Sequence, residues 1–313
     1  MSRLRLGQQQ RGRILPSTGR DAAAASRGQV RGQARGQTPR YDAAPMVRET
    51  RVETIYRRVR VLEAGGGWPV VLLHAFPLGA DMWRPQLEAV PDGWRFIAPD
   101  LPGFGGEEPS ASADPSMDAY ADDIVALLDA LEIDRAVIGG LSMGGYVTFA
   151  LFGRAPERFS GLLLADTRTS ADTPDGKTAR RAMSELVKTQ GPSAVAEQMM
   201  PKLLGPTTRA SRPHVEPEVR RLIVANTVRG IDDAIQAMLD RPDSAALLDR
   251  ISVPTLVVVG EEDTLTPVSD SESIHEAIDR SNLVVLAEAG HLSNLEVPEE
   301  FSRVLEDFLA SNI

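Results

Sequence analysis

A six-residue stretch of small and apolar residues, Ala136–Leu141, runs without a break into Ser142, and glycines stand at 139, 140, 144 and 145 around it. Short, continuous and bounded by small residues, it has the pattern of a strand covered on both faces. A second apolar run, of helical length, follows over residues 146–152. Joining a buried strand to a helix in so few residues needs a very tight turn. Side chains at 140 and 144 would collide with neighbouring backbone there, so glycine at both relieves the clash. The pattern Gly140-x-Ser142-x-Gly144 lifts one hydroxyl clear of a sheet at the start of a helix, where backbone N–H groups face a developing anion. Five-residue patterns also arise by chance, as a glycine-rich turn with an incidental serine. Ser142 is therefore a candidate nucleophile only if the chain also supplies a base, an acid and a matching sheet.

The sheet is supplied. Residues 51–56 and 58–62 alternate apolar and polar side chains, as in an antiparallel pair with one solvated face. A continuous apolar run at 69–74 reads as a strand covered on both sides, and 94–98, 159–165, 254–260 and 282–287 read as further strands. Between them, residues 116–131, 271–278 and 298–309 space apolar side chains by three and four, as helices do. Alternating strands and helices call for a mostly parallel central sheet with helices on both faces. The alternation stops between Asp166 and about Arg250. Only helices are expected there, over 178–189, 194–204, 216–228 and 231–239, punctuated by Gly191-Pro192, Gly205-Pro206, Pro213 and Pro242. The chain thus divides into an α/β core over 46–166 and 251–313 and an all-helical cap insertion over 167–250, packed on one edge of the sheet.

Residues 1–45 carry nine arginines against Asp21 and Asp42, a local charge of +7, which leaves −17 for the remainder of a chain whose total is −10. With almost no large apolar residues, this basic extension is expected to be disordered. A targeting peptide, a basic arm for an acidic partner, and a non-functional extension ahead of Met46 all fit it; the last is preferred because strand character begins just after Met46. The acidic body argues against nucleic acid as a partner. No apolar run approaches the ~20 residues that span a bilayer. The absence of cysteine removes disulfides, a thiol nucleophile and Cys-ligated metal, and fits a cytoplasmic location.

A serine hydroxyl needs a base, and the base needs an orienting acid. Of the four histidines, His291 lies just past the last strand in Glu288-Ala-Gly-His291, at the sheet edge where Ser142 also falls. His214 reads as a surface residue of the insertion. His275 opens His-Glu-x-x-Asp279, not the His-Glu-x-x-His of a zinc helix, and no other metal spacing occurs. Asp263, in the loop from Gly260 to Pro267, is the preferred acid. Asp166, after the preceding strand, competes with it, and Glu261 and Glu262 are weaker candidates. The oxyanion donors are expected to be the N–H of Met143, next to the nucleophile, and that of Phe76, in the loop after the 69–74 strand. His74 in that loop reads as a buried structural histidine. The run Asp100–Gly106 lacks the full dinucleotide pattern and reads as a tight structural loop near the site.

Taken together, His74-Ala-Phe-Pro, Asp100-Leu-Pro-Gly-Phe-Gly, Gly140-Leu-Ser-Met-Gly-Gly, Gly260-x-x-Asp263-x-x-x-Pro267 and Gly290-His291 resemble the α/β-hydrolase superfamily over residues 50–310. Within it the chain resembles small cofactor-free capped serine hydrolases: enol-lactonase-like enzymes, carboxylesterases and non-haem perhydrolases. A serine at 142 separates it from relatives with aspartate at the elbow. The resemblance implies a Ser142–His291–Asp263 triad, no metal or cofactor, a small ester or lactone substrate and a side reaction with peroxide. It equally admits a hydrolase-like receptor or stress-signalling protein with slow or single turnover. Ala75 stands where the family most often has glycine, which puts substrate size rather than mechanism in question.

Overall fold

The computed structural model describes residues 46–107 and 114–313; the basic extension expected over residues 1–45 lies outside the described residues. Eight strands form one sheet: β1 (Arg48–Glu53), β2 (Arg58–Gly65), β3 (Trp68–Leu73), β4 (Trp94–Pro99), β5 (Ala136–Leu141), β6 (Phe159–Ala165), β7 (Thr255–Gly260) and β8 (Ser281–Leu286). Their spatial order is β1-β2-β4-β3-β5-β6-β7-β8. β1 pairs antiparallel with β2, and β2 antiparallel with β4. Every pair from β4 through β8 is parallel. β2 runs on to Gly65, past the alternating pattern, because its far half pairs with Arg95–Pro99 of β4.

Successive residues of each central strand serve opposite faces. Val71, Leu73, Ile138, Leu164 and Val257 pack with the helices Met117–Ala130, Met143–Arg154 and Val268–Ala277. Val70, Leu72, Val137, Leu163 and Val258 pack with Trp83, Leu87 and the Phe301, Leu305 and Phe308 face of the C-terminal helix Pro298–Asn312. Each side of the sheet is thereby buried under helix, which is why the inner strands carry almost no polar residue.

Between β6 and β7 there are only helices: Pro174–Leu203, Pro206–Ser211, Val215–Val224, Val228–Leu239 and Ala245–Leu248. Two differ from the sequence pattern for identifiable reasons. The first starts early because the Thr173 side chain caps it, accepting from the Gly176 N–H at 3.1 Å. Within it, helical geometry is broken at Gly191 (φ 77°, ψ −179°), between the two helices expected there; glycine takes the positive φ and Pro192 restarts the helix. The helix expected over 216–228 stops at Val224 because Thr227 caps the next one, accepting from Gly230 N–H at 2.9 Å. The insertion's two ends are stapled: Ser244 N–H donates to Thr169 C=O at 3.0 Å, and Asp172 accepts from Arg168, Arg180 and Arg241. No helix among the described residues is long and apolar enough to cross a membrane.

Candidate active site

The strand order reverses direction between β3 and β5: β4 lies on one side of β3 and β5 on the other. Connections leaving the two strands diverge there and open a crevice at their carboxyl ends, where ligands of open α/β sheets bind. Ser142 follows β5 directly, and the loop holding Phe76 follows β3.

Ser142 has φ 56° and ψ −111°, a conformation a residue with a side chain adopts only under constraint. The constraint is visible. Ser142 N–H donates to Ala165 C=O at 2.9 Å, and Ser142 C=O accepts from Thr167 Oγ1 at 2.9 Å. A Cβ at Gly144 would lie 2.2 Å from Leu73 C=O, and one at Gly140 would lie 2.5 Å from Gly144 carbonyl carbon. Both glycines are therefore required by contact, as the tight turn demands. The result is a half-buried hydroxyl at the N-terminus of the Met143–Arg154 helix.

That hydroxyl lies 2.8 Å from His291 Nε2, and His291 Nδ1 lies 2.7 Å from Asp263 Oδ2. Three residues from three strand ends form one line of hydrogen bonds. Nδ1 carries the hydrogen because its partner is a carboxylate, which leaves Nε2 to accept from Ser142. Asp263 is 5% exposed. Its Oδ1 accepts from the N–H groups of Leu265 and Thr266 and its Oδ2 from the Thr266 hydroxyl at 2.6 Å. Burial works to raise this carboxyl, but the adjacent His291 ring and the Thr266 donors hold it below the usual carboxylate range.

Asp166 does not reach His291. It is fully buried, accepts from Gly260 N–H at 2.8 Å on Oδ1, and meets the Ser293 hydroxyl with Oδ2. Burial, and then the charge of Asp263, push its carboxyl well above the usual range, against the pull of Ser293 and Gly260. Two buried acids are thus driven apart, the one at the histidine held low and the one behind it pushed up. Glu262 binds the insertion instead, accepting from the N–H and hydroxyl of Thr207, and Glu261 is exposed. His214 is exposed and His275 pairs with Ser281 Oγ at 2.7 Å.

Leu101 N–H donates to Nε2 of the buried His74 at 3.0 Å, so the ring's hydrogen is on Nδ1, donated to Ala75 C=O at 3.0 Å. Burial pushes this imidazole down, keeping it neutral. It fastens the loop after β3 to the loop after β4. Ala75 N–H is spent on Met82 Sδ at 3.1 Å. Phe76 N–H and Met143 N–H, by contrast, donate to no group among the described residues.

A family model described as the alpha/beta hydrolase fold matches residues 69–298. The chain belongs to the α/β-hydrolase family. It is similar to 3-oxoadipate enol-lactonase 2 of Acinetobacter baylyi, 31% identical over 75% of this chain and 86% of that protein. It is also similar to 2-hydroxymuconate semialdehyde hydrolase of a Pseudomonas species, 29% identical over 81% of this chain and 90% of that one. Among solved structures, a thermophilic esterase from Thermogutta terrifontis superposes with a TM-score of 0.79 at 37% identity, covering 84% of this chain and 98% of that one. The enol-lactonase from Burkholderia xenovorans superposes at 0.76 and 25%, covering 84% and 100%. This α/β-hydrolase is a hydrolytic enzyme.

Several residues that shape the hydrolase site carry no local signal in the sequence. Thr167, just past β6, and Thr266, in the loop after β7, are buried and read only as loop residues, yet one holds Ser142 and the other Asp263. Glu296, 1% exposed, follows His291 by five residues. It accepts from Leu292 N–H at 3.1 Å beside the histidine and from Gly205 N–H of the insertion at 2.8 Å. In the sequence it is one acid between Leu295 and Val297, with nothing to mark its burial.

Proposed function

We propose that this hydrolase cleaves small carboxylic esters or lactones through an acyl-enzyme formed on Ser142. The reading is carried by the hydrogen-bonded line from Ser142 Oγ through His291 to Asp263, with both inner members buried and only the serine open to a ligand. In the first half-reaction His291 Nε2 takes the Ser142 proton as Oγ attacks the carbonyl carbon. The carbonyl oxygen becomes an oxyanion facing the free N–H groups of Met143 and Phe76. On collapse the C–O bond to the leaving alkoxide breaks, and His291 returns its proton to that alkoxide. For a lactone the alkoxide stays tethered to the acyl group. In the second half-reaction water loses a proton to His291, attacks the acyl carbon and restores Ser142. Asp263 keeps the imidazole in the tautomer that accepts at Nε2 and stabilises the transient imidazolium.

The helical insertion, proposed as a cap over 167–250, would bound the acyl pocket above these strand ends, with the core over 46–166 and 251–313. The esterases and lactonases among the relatives support this substrate class. Multiple turnover of p-nitrophenyl acetate or butyrate above ~1 s⁻¹, within the range of ordinary enzymes, is the expected result. Slow single turnover that leaves a retained adduct on Ser142 would instead mark a signal receptor built on the same site.

A further inference from the structure

The loop that carries Phe76 is held from the insertion by one side chain. Asn226 sits between the Val215–Val224 and Val228–Leu239 helices and is 5% exposed. Its Nδ2 lies 2.7 Å from Pro77 C=O, 2.6 Å from Leu78 C=O and 2.9 Å from Leu222 C=O, and its Oδ1 accepts from Gly105 N–H at 2.9 Å. The amide orientation is fixed by these partners: three carbonyls can face only the NH₂ group, and an N–H can face only the oxygen. One planar group therefore joins the loop after β3, the loop after β4 and the insertion. The two loops have little room to shift past each other, since a Cβ at Gly79, in the loop after β3, would lie 2.9 Å from the Asp100 carboxylate and 3.4 Å from Gly105 N, both in the loop after β4. That carboxylate in turn accepts from Ala80 N–H at 2.6 Å.

From this geometry we infer that Asn226 is a positioning residue for the reaction: it sets the loop after β3 so that Phe76 N–H points at the developing oxyanion. The inference rests on the acyl-enzyme reading above. The carbonyls Asn226 holds are those of the two residues that follow Phe76. Losing their donor would let the adjacent peptide rotate, and the N–H of Phe76 would be the first group displaced. An oxyanion donor acts on the transition state more than on bound substrate, and a misplacement of about 1 Å in such a group costs on the order of 10² in rate. A purely structural amide would instead lower the melting temperature without moving the balance between kcat and KM.

The test measures kcat and KM on p-nitrophenyl butyrate for the full chain and for Asn226→Ala and Asn226→Ser. It adds Ki for an alkyl trifluoromethyl ketone, whose serine adduct carries an oxyanion, and for butyrate, which does not. Expected for Asn226→Ala is a kcat loss of about 10-fold to 100-fold with KM within about threefold. The ketone Ki should rise by a similar factor and the butyrate Ki stay unchanged; Asn226→Ser, which keeps one donor, should fall between parent and alanine. Parental kcat in either variant, or a kcat loss with an unchanged ketone Ki, overturns the inference and leaves the acyl-enzyme reading intact. Failure of that reading shows separately, as a parent chain that neither turns over the ester nor binds the ketone.

Discussion

The Thr167 hydroxyl donates to the main-chain carbonyl of Ser142 across 2.9 Å, so the residue with the constrained backbone is braced by the strand beside its own. The same carbonyl also accepts from the N–H groups of Gly145 and Tyr146, and removing the threonine donor leaves it partnered. Thr167→Val keeps the shape that packs against Gly145. It should therefore lower stability by only about 1 kcal/mol, the net worth of one hydrogen bond. The larger effect should be on catalysis: a kcat reduced about tenfold, or ~1.4 kcal/mol, with KM little changed. Steady-state kinetics and a melting curve on one preparation separate the two, and an unaltered kcat would show that Ser142 needs no brace.

Gly144→Ala tests the turn by contact rather than by chemistry. The added carbon would lie 2.2 Å from Leu73 C=O, a main-chain atom in mid-sheet that cannot move aside cheaply. The expected destabilisation is about 3 kcal/mol, at the upper end for overpacking, together with loss of ester turnover. A thermal midpoint equal to the parent's would mean that the strand and helix separate more readily than this geometry allows.

Ser142→Ala removes the hydroxyl and nothing else that the neighbouring strands hold. Turnover should fall by at least about 10⁴, as for loss of a triad member, while circular dichroism and melting remain close to the parent. A serine-directed phosphonate should label the parent once, at Ser142, and leave the variant unlabelled. Labelling at any second serine would refute the assignment.

Asp263→Asn and Asp166→Asn should behave oppositely although both replace buried carboxyls. At 263 the amide can present an N–H to His291 Nδ1 and favour the wrong tautomer; kcat should fall by about 10⁴. At 166 the amide keeps the size of the carboxyl, can still accept from Gly260 N–H and lies outside the hydrogen-bonded line to His291, so kcat should stay within about tenfold. The pH dependence follows from the raised carboxyl of Asp166. A carboxyl whose pKa is higher in the folded state than in the unfolded chain contributes stability below the unfolded value. That stability is lost as pH rises toward the folded one. The melting temperature of the parent relative to Asp166→Asn should therefore decline from about pH 4 upward, near the ordinary aspartate pKa. A constant difference between pH 5 and pH 7 would show that Asp166 is charged in the folded protein.

The hydrogen-bonded line of Ser142, His291 and Asp263 is legible in the sequence because each residue lies within a few positions of the end of a strand whose apolar run is unmistakable, with glycine or proline marking the turn. Phe76, proposed as an oxyanion donor, stands out because it follows such a strand too. Asn226 does not: its partner Pro77 is 149 residues away, its bonds are to main chain, and an asparagine in a helix-rich stretch looks like a surface residue. Thr167 and Glu296 were hidden for the same reason. Gly191-Pro192 shows a different limit. The pair reads as a break and Gly191 does leave helical geometry, but the immediate resumption of helix at Pro192 is set by packing against the Val215–Val224 and Val228–Leu239 helices. Local residues state where a chain can turn, whereas tertiary contacts state how far.

The insertion is moored to four separate segments that follow strands of the sheet: Asn226 to those after β3 and β4, Thr207 to Glu262 after β7, and Gly205 to Glu296 after β8. Exchangeability is limited accordingly. A chimera that received a foreign helical segment between β6 and β7 would inherit its lining but lose the moorings, and with them the alignment of Phe76 and His291. A transplant that carries Asn226, Gly205 and Thr207 with their partners is the version that keeps the machinery in register.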